Sequence, residues 1–138
     1  MRFVHAAGVC LLYLGLANCA GGPAEPTGPA LLGRWGTAES EQVVLAADSA
    51  ATVVIIGCTF IRTTKLVELA ADGTFAFRGT YSPSGPIVSG PKPLAEVTGV
   101  VQGNTVELTY DVLGDGQRAQ SVSLQRGVEP PFDFACPL

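Results

Sequence analysis

The feature that most constrains this chain is a strict alternation of polar and apolar residues along its second half. Residues 105–112 alternate without interruption, and residues 74–81 place Phe75, Phe77 and Tyr81 on one side. Successive side chains of a β-strand point to opposite faces of its sheet, so this period of two indicates strands with one buried face. No convincing amphipathic helix follows the N-terminal segment.

Turn-forming residues separate these runs. Asp-Gly at 72–73 and Gly-Asn at 103–104 supply the positive φ angles of tight hairpins. We therefore expect an all-β fold, a small antiparallel up-and-down barrel or strongly curled meander of about eight strands, because closure removes unpaired edges. The expected strands are 33–38, 41–47, 51–57, 65–71, 74–81, 95–102, 105–113 and 117–126.

The N-terminal segment predicts export. Arg2 precedes an apolar run at 6–17 that is too short to span a bilayer and is typical of a secretory signal. Leu-Ala-Asn-Cys at 16–19 resembles a lipobox, although Asn18 stands where Gly, Ala or Ser is usual. We expect a lipoprotein signal at 1–18, lipid on Cys19, and anchoring to the outer membrane or the outer face of the plasma membrane. The alternative is a secreted or periplasmic protein.

The remaining chain has the length of a single domain. Residues 19–31 are rich in proline and glycine and predict a tether, while residues 32–138 predict one β domain. Without Arg2, seven of the eight basic residues remain against twelve acidic ones, and they are dispersed along the sequence. Nucleic-acid binding requires clustered positive charge, so we expect no nucleic-acid partner.

The cysteines predict one disulfide. Cys10 leaves with the signal and Cys19 is assigned to the lipid, which leaves Cys58 and Cys136 as an even pair in an exported protein. A bond between them closes a loop of nearly eighty residues. In the chain-entropy estimate, such a bond stabilises a fold by about 4–5 kcal/mol. A catalytic or metal-binding pair is the alternative interpretation.

Catalytic chemistry has little support. The only histidine, His5, lies in the predicted signal, which removes histidine-activated nucleophiles and most zinc sites. Acidic residues such as Glu107 and Asp111 lie on the polar face of a strand, where a solvated surface is the simpler interpretation. A pair of Ser82 or Ser84 with Lys92 remains an alternative. We expect no enzyme activity, no cofactor and no metal.

A proline-rich connection is the candidate binding element. Residues 82–93 hold four prolines and two glycines, so they predict a loop with restricted backbone freedom. In barrels, such a loop lies beside an open end, where partners are met. The alternative is an insertion without function. The candidate residues are Ser84, Gly85, Pro86, Ile87, Val88 and Lys92.

Trp35 has two interpretations. Its indole can plug one end of the barrel, stacked by an arginine such as Arg126, or it can stack a ligand at the barrel mouth.

Several short motifs occur in one order along most of residues 33–136. Together they resemble an uncharacterised family of small bacterial secreted proteins and lipoproteins, and the initial Gly-x-Trp is similar to that of lipocalin-like and avidin-like barrels. The family pattern Ala-His-Gly after the middle cysteine is replaced here by residues 59–61. The resemblance implies the barrel and the disulfide, and no known activity. The motifs are GRWG (33–36), VVLAADSAATV (43–53), Gly57-Cys58, DGTFAFRGTY (72–81), Gly85-Pro86, VTGVVQGNTVELTYDV (97–112), SLQRG (123–127) and Cys136.

Two function classes follow. The first is a non-enzymatic protein-interaction or inhibitor-type module of the cell envelope, whose partner is an unknown envelope protein. The alternative is a lipocalin-like carrier of a small apolar ligand. A small barrel holds a ligand only when side chains do not fill it, and the many large inward-facing residues favour the first class.

Overall fold

Eight antiparallel strands form a closed barrel. The computed structural model describes residues 28–37, 42–83 and 90–130. Each strand pairs with its neighbours in sequence, and the first also pairs with the last, which confirms the all-β barrel. The strands are β1 (Gly33–Gly36), β2 (Val43–Ala47), β3 (Thr52–Ile56), β4 (Thr59–Thr63), β5 (Thr74–Ser82), β6 (Leu94–Gln102), β7 (Thr105–Val112) and β8 (Gln120–Arg126).

The predicted strand at 65–71 is wrong, and the fourth strand lies at 59–63 instead. Gly57 adopts a φ of 57° and forms a two-residue turn with Cys58. The chain therefore reverses at once, and β4 pairs with the whole length of β3. Residues 64–73 then cross one end of the barrel, where Glu68 bridges to Ala30.

The turns before β3 and β5 are held by aspartates. The backbone N–H groups of Ala51 and Ala50 donate to Oδ1 of Asp48 over 2.9 and 2.7 Å, and they lower the pKa of this carboxyl. The hydroxyl and the N–H of Thr74 donate to Oδ1 of Asp72 over 2.6 and 3.0 Å and lower its pKa likewise. Both carboxylates are bound in their charged form, which is why aspartate suits these turns.

The barrel interior is a packed hydrophobic core. Every second residue of the strands points inward, so β5 contributes Phe75 and β1 contributes Trp35, as the alternation predicts. Interiors packed in this way leave few voids larger than a water molecule. The fully buried members include Leu45, Val54, Ile61, Val97, Val106, Leu108 and Leu124.

The end of the barrel at which β1 begins is closed. Residues 64–73 and the turns at 48–51 and 103–104 lie here, and we refer to it as the closed end. Leu31 donates its N–H to the carbonyl oxygen of Val67 over 2.8 Å, and both side chains are buried in the core. Residues 29–31, assigned above to the tether, therefore pack on the barrel.

After β8 the chain turns back over the outer side of β1. The N–H of Gly127 donates to the carbonyl oxygen of Arg34 over 2.9 Å, and Arg34 donates to Glu129 over 3.0 Å. Gly36 then faces the carbonyl of Val128 and the ring of Pro130. Residues 127–130 thus run along β1, away from the closed end.

Candidate functional site

The opposite end of the barrel carries the long connections. The turns at 57–58 and 113–119 lie here, as do the end of β5 and the start of β6, and we refer to it as the loop end. Four inward-facing residues at this end, Ile56, Tyr81, Tyr110 and Val112, are half-buried, whereas Val43 and Ala95 beside them are buried. This end is therefore where solvent and partners reach inward-facing side chains.

A pocket of about 170 Å³ lies at the loop end. Tyr81 of β5 and Tyr110 of β7 line it. Every second side chain of these strands points inward, and both tyrosines occupy inward positions near the strand ends. The polar part comes from the 113–119 turn, where the Gln117 N–H donates to Asp115 over 2.8 Å. The remaining lining residues are Ile56, Thr59, Val112, Arg118 and Gln120.

This loop-end pocket is small. Ligand sites for drug-sized molecules measure about 300–1,000 Å³, so the pocket at about 170 Å³ suits only a small polar group or one inserted side chain. Tyrosine hydroxyls, an arginine and a carboxylate at its rim can all form hydrogen bonds there. The alternation placed both tyrosines inside, but it did not show which end of the barrel would stay open.

Trp35 and Arg126 lie together, as the sequence predicts, but next to the closed end. They are partners in the β1–β8 pairing, and the guanidinium carbon of Arg126 lies 4.7 Å from the centroid of the indole ring. The side chain of Trp35 is only 1% exposed. This geometry is that of a plug with a cation–π cover, and the indole has almost no surface with which to stack a ligand.

Most of the candidate binding loop lies outside the described residues. This applies to Ser84, Gly85, Pro86, Ile87 and Val88, and also to Cys19 and Cys136. Lys92 is described and exposed, and its Nζ lies 3.5 Å from Oγ of Ser82. A serine–lysine nucleophile requires a desolvated lysine, and Lys92 is open to solvent. The pair therefore has the geometry of a surface contact.

Other chemistry-bearing groups remain dispersed. Within residues 28–37, 42–83 and 90–130, no cluster of three or more His, Cys, Asp or Glu could hold a metal ion. Glu107 is exposed on the outer face of β7. The described residues contain no helix with the length and apolarity of a membrane span.

Comparison with known proteins adds no relative. No protein family matches the chain, and no curated protein or solved structure is significantly similar to it. The resemblance to small secreted proteins and lipoproteins stays a prediction, and function must be argued from the geometry.

Proposed function

We propose that the chain is an exported, lipid-anchored envelope protein that acts as a non-enzymatic protein-interaction or inhibitor-type module. The observation that carries this proposal is the filled barrel. Its inward residues form one buried core cluster, and the loop-end pocket measures about 170 Å³. A barrel without room for a ligand is a rigid support that presents its loops and outer surface to a partner.

The lipid anchor on Cys19 is tested by cell fractionation. Replacing Cys19 with serine removes the sulfur that carries the lipid, so we expect the protein to move from the membrane fraction to the soluble one. A matched Cys10→Ser change, within the predicted signal, should leave the distribution unchanged. Unaltered fractionation of Cys19→Ser would show that the protein is not a lipoprotein of this type.

The Cys58–Cys136 disulfide belongs to the same proposal. One observation supports it. Residues 127–130 run along β1 away from the closed end, toward the loop end, where Cys58 lies in the β3–β4 turn. Cys136 follows Pro130 by six positions, an extended reach of roughly 20 Å. Peptide mapping under non-reducing conditions should recover the two cysteines in one linked fragment.

The interaction function is tested at the loop end. Deleting residues 84–91 shortens the candidate loop between β5 and β6, and we expect an intact barrel that no longer captures its envelope partner in pull-downs. Gln102→Ala, at the closed end, is the control and should retain capture. Equal capture by the deletion variant would exclude this loop from the interface.

A small-ligand carrier is the second candidate, and the two tyrosines of the loop-end pocket favour it. Native mass spectrometry of the protein, purified from the envelope without reductant, separates the two. A bound adduct of a few hundred daltons would establish the carrier, whereas the interaction module should appear without one.

A further inference from the structure

Basic side chains that are dispersed in the sequence gather on the outer surface between β4 and β5. These strands pair only from Phe60↔Ser82 to Arg62↔Thr80. A groove of about 570 Å³ lies over and beside this short pairing, and we refer to it as the basic groove. Its walls include four of the eight lysine and arginine residues of the chain. These four are Arg62, Lys65, Arg78 and Lys92.

The charge of the basic groove is only partly neutralised. Arg78 donates to Oε1 of Glu96 over 2.9 Å. Among the described residues, no ion pair engages Lys65 or Lys92, and no carboxylate lines the groove. Arg62 acts at a distance on Asp48 in the β2–β3 turn, where it contributes to the lowered pKa of that carboxyl. The groove is therefore positive on a chain whose net charge is −4.

Exposed apolar side chains accompany these charges. Phe60 is 42% exposed and Leu94 is 45% exposed, and both line the basic groove. Large apolar groups left open beside unneutralised charges are typical of an interaction surface. The groove is concave, so an extended chain can enter it, whereas the flat surface of a membrane meets only its rim.

We propose that the basic groove binds an extended acidic segment of a partner protein, with apolar side chains of that segment against Phe60 and Leu94. This inference rests on the proposed protein-interaction function and gives it a partner chemistry. Carboxylates of the segment replace the missing counter-charges of Lys65 and Lys92, which explains why these cations are left unpaired.

A random library of twelve-residue peptides, displayed on phage and selected on the full-length protein, tests the proposal. We expect the selected peptides to be rich in Asp and Glu with at least one large apolar residue. Fluorescence anisotropy then measures the affinity of the best peptide. The double variant Lys65→Gln/Lys92→Gln should weaken it about tenfold, and added salt should weaken the wild-type complex.

The control lowers the net charge equally at a different place. Gln102→Glu/Asn104→Asp changes exposed residues of the closed end by the same two units, and it should leave peptide affinity within about twofold. Circular dichroism and thermal unfolding establish that both double variants fold.

Three results would overturn the inference. The first is selection of peptides without acidic enrichment, and the second is equal weakening by both double variants, which would indicate net charge alone. The third is groove-dependent binding to phosphatidylglycerol vesicles or single-stranded DNA in place of peptide. If the loop deletion abolishes envelope capture while the groove variants do not, the interaction function stands and the basic groove is excluded from it.

Discussion

Replacing Gly36 with alanine should dislodge the chain that follows β8. A Cβ at Gly36 would point outward into the carbonyl of Val128, 3.1 Å from its carbon and 2.9 Å from Cδ of Pro130. Both atoms belong to backbone or to a proline ring, so no flexible side chain can move aside. The segment at 127–130 must shift outward instead.

The expected loss of stability follows from the contacts that hold residues 127–130 on β1. The shift strains the hydrogen bonds from the N–H of Gly127 to Arg34, at 2.9 Å, and from that of Val128 to Gln125, at 3.4 Å. Each contributes about 1 kcal/mol, and the exposed Arg34–Glu129 pair adds about 0.5 kcal/mol. The φ of Gly36 is one that alanine adopts, so the substitution also stabilises the fold by about 0.4–1 kcal/mol, because alanine lowers the entropy of the unfolded chain. The free energy of unfolding should therefore fall by about 2 kcal/mol in total.

Urea unfolding of the oxidised protein measures this loss. The matched control carries the same substitution in a chain truncated after Gly127, where the clash is absent and Gly36→Ala should be neutral or slightly stabilising. A loss of equal size in both chains, or none in the full-length chain, would refute the described path of residues 127–130.

Three further predictions concern the barrel itself. Arg126→Ala should remove about 1 kcal/mol of stability and shift the fluorescence of the single tryptophan, Trp35, to longer wavelength, because its ring loses the guanidinium cover; an unchanged spectrum would contradict the plug geometry. Leu108→Ala should lower the free energy of unfolding by about 2–5 kcal/mol, since the residue is fully buried in the core, and denaturant titration checks this. The pKa of Asp72 is lower in the folded state than the ordinary 3.8, so its stabilising effect is complete above that value and is lost as pH falls below it. Asp72→Asn should therefore flatten the acid limb of the stability profile, which urea unfolding at a series of pH values measures.

The barrel is largely predictable because its strands and turns are encoded by residues that are neighbours in the sequence. Alternation at 74–81 and 105–112 assigned inner and outer faces correctly, and the glycine-containing turns at 72–73 and 103–104 lie where expected. The prediction of a strand at 65–71 is wrong because this apolar segment crosses the closed end, where the side chain of Val67 is buried. The shorter run at 59–63 forms β4 instead.

The candidate interaction surfaces were less predictable because they depend on pairing between strands. Arg62, Lys65, Arg78 and Lys92 come from separate parts of the chain, and only the register of β4 with β5 brings them to one groove. The sequence likewise placed Trp35 beside Arg126 without showing which end they occupy. Tyr81 and Tyr110 line a pocket because they lie at the loop end, which is the open end of the barrel.

The short pairing between β1 and β8 has a consequence for folding kinetics. Every other strand pair joins sequence neighbours, whereas the described residues of β1 and β8 pair at two positions, Trp35↔Arg126 and Gly36↔Gln125. Local hairpins form fastest, so the ladder can assemble before its most distant partners meet. Until they do, both outer strands expose unpaired backbone that can add a strand from another molecule. The rate at which this contact closes therefore sets the time during which a newly synthesised chain is open to aggregation.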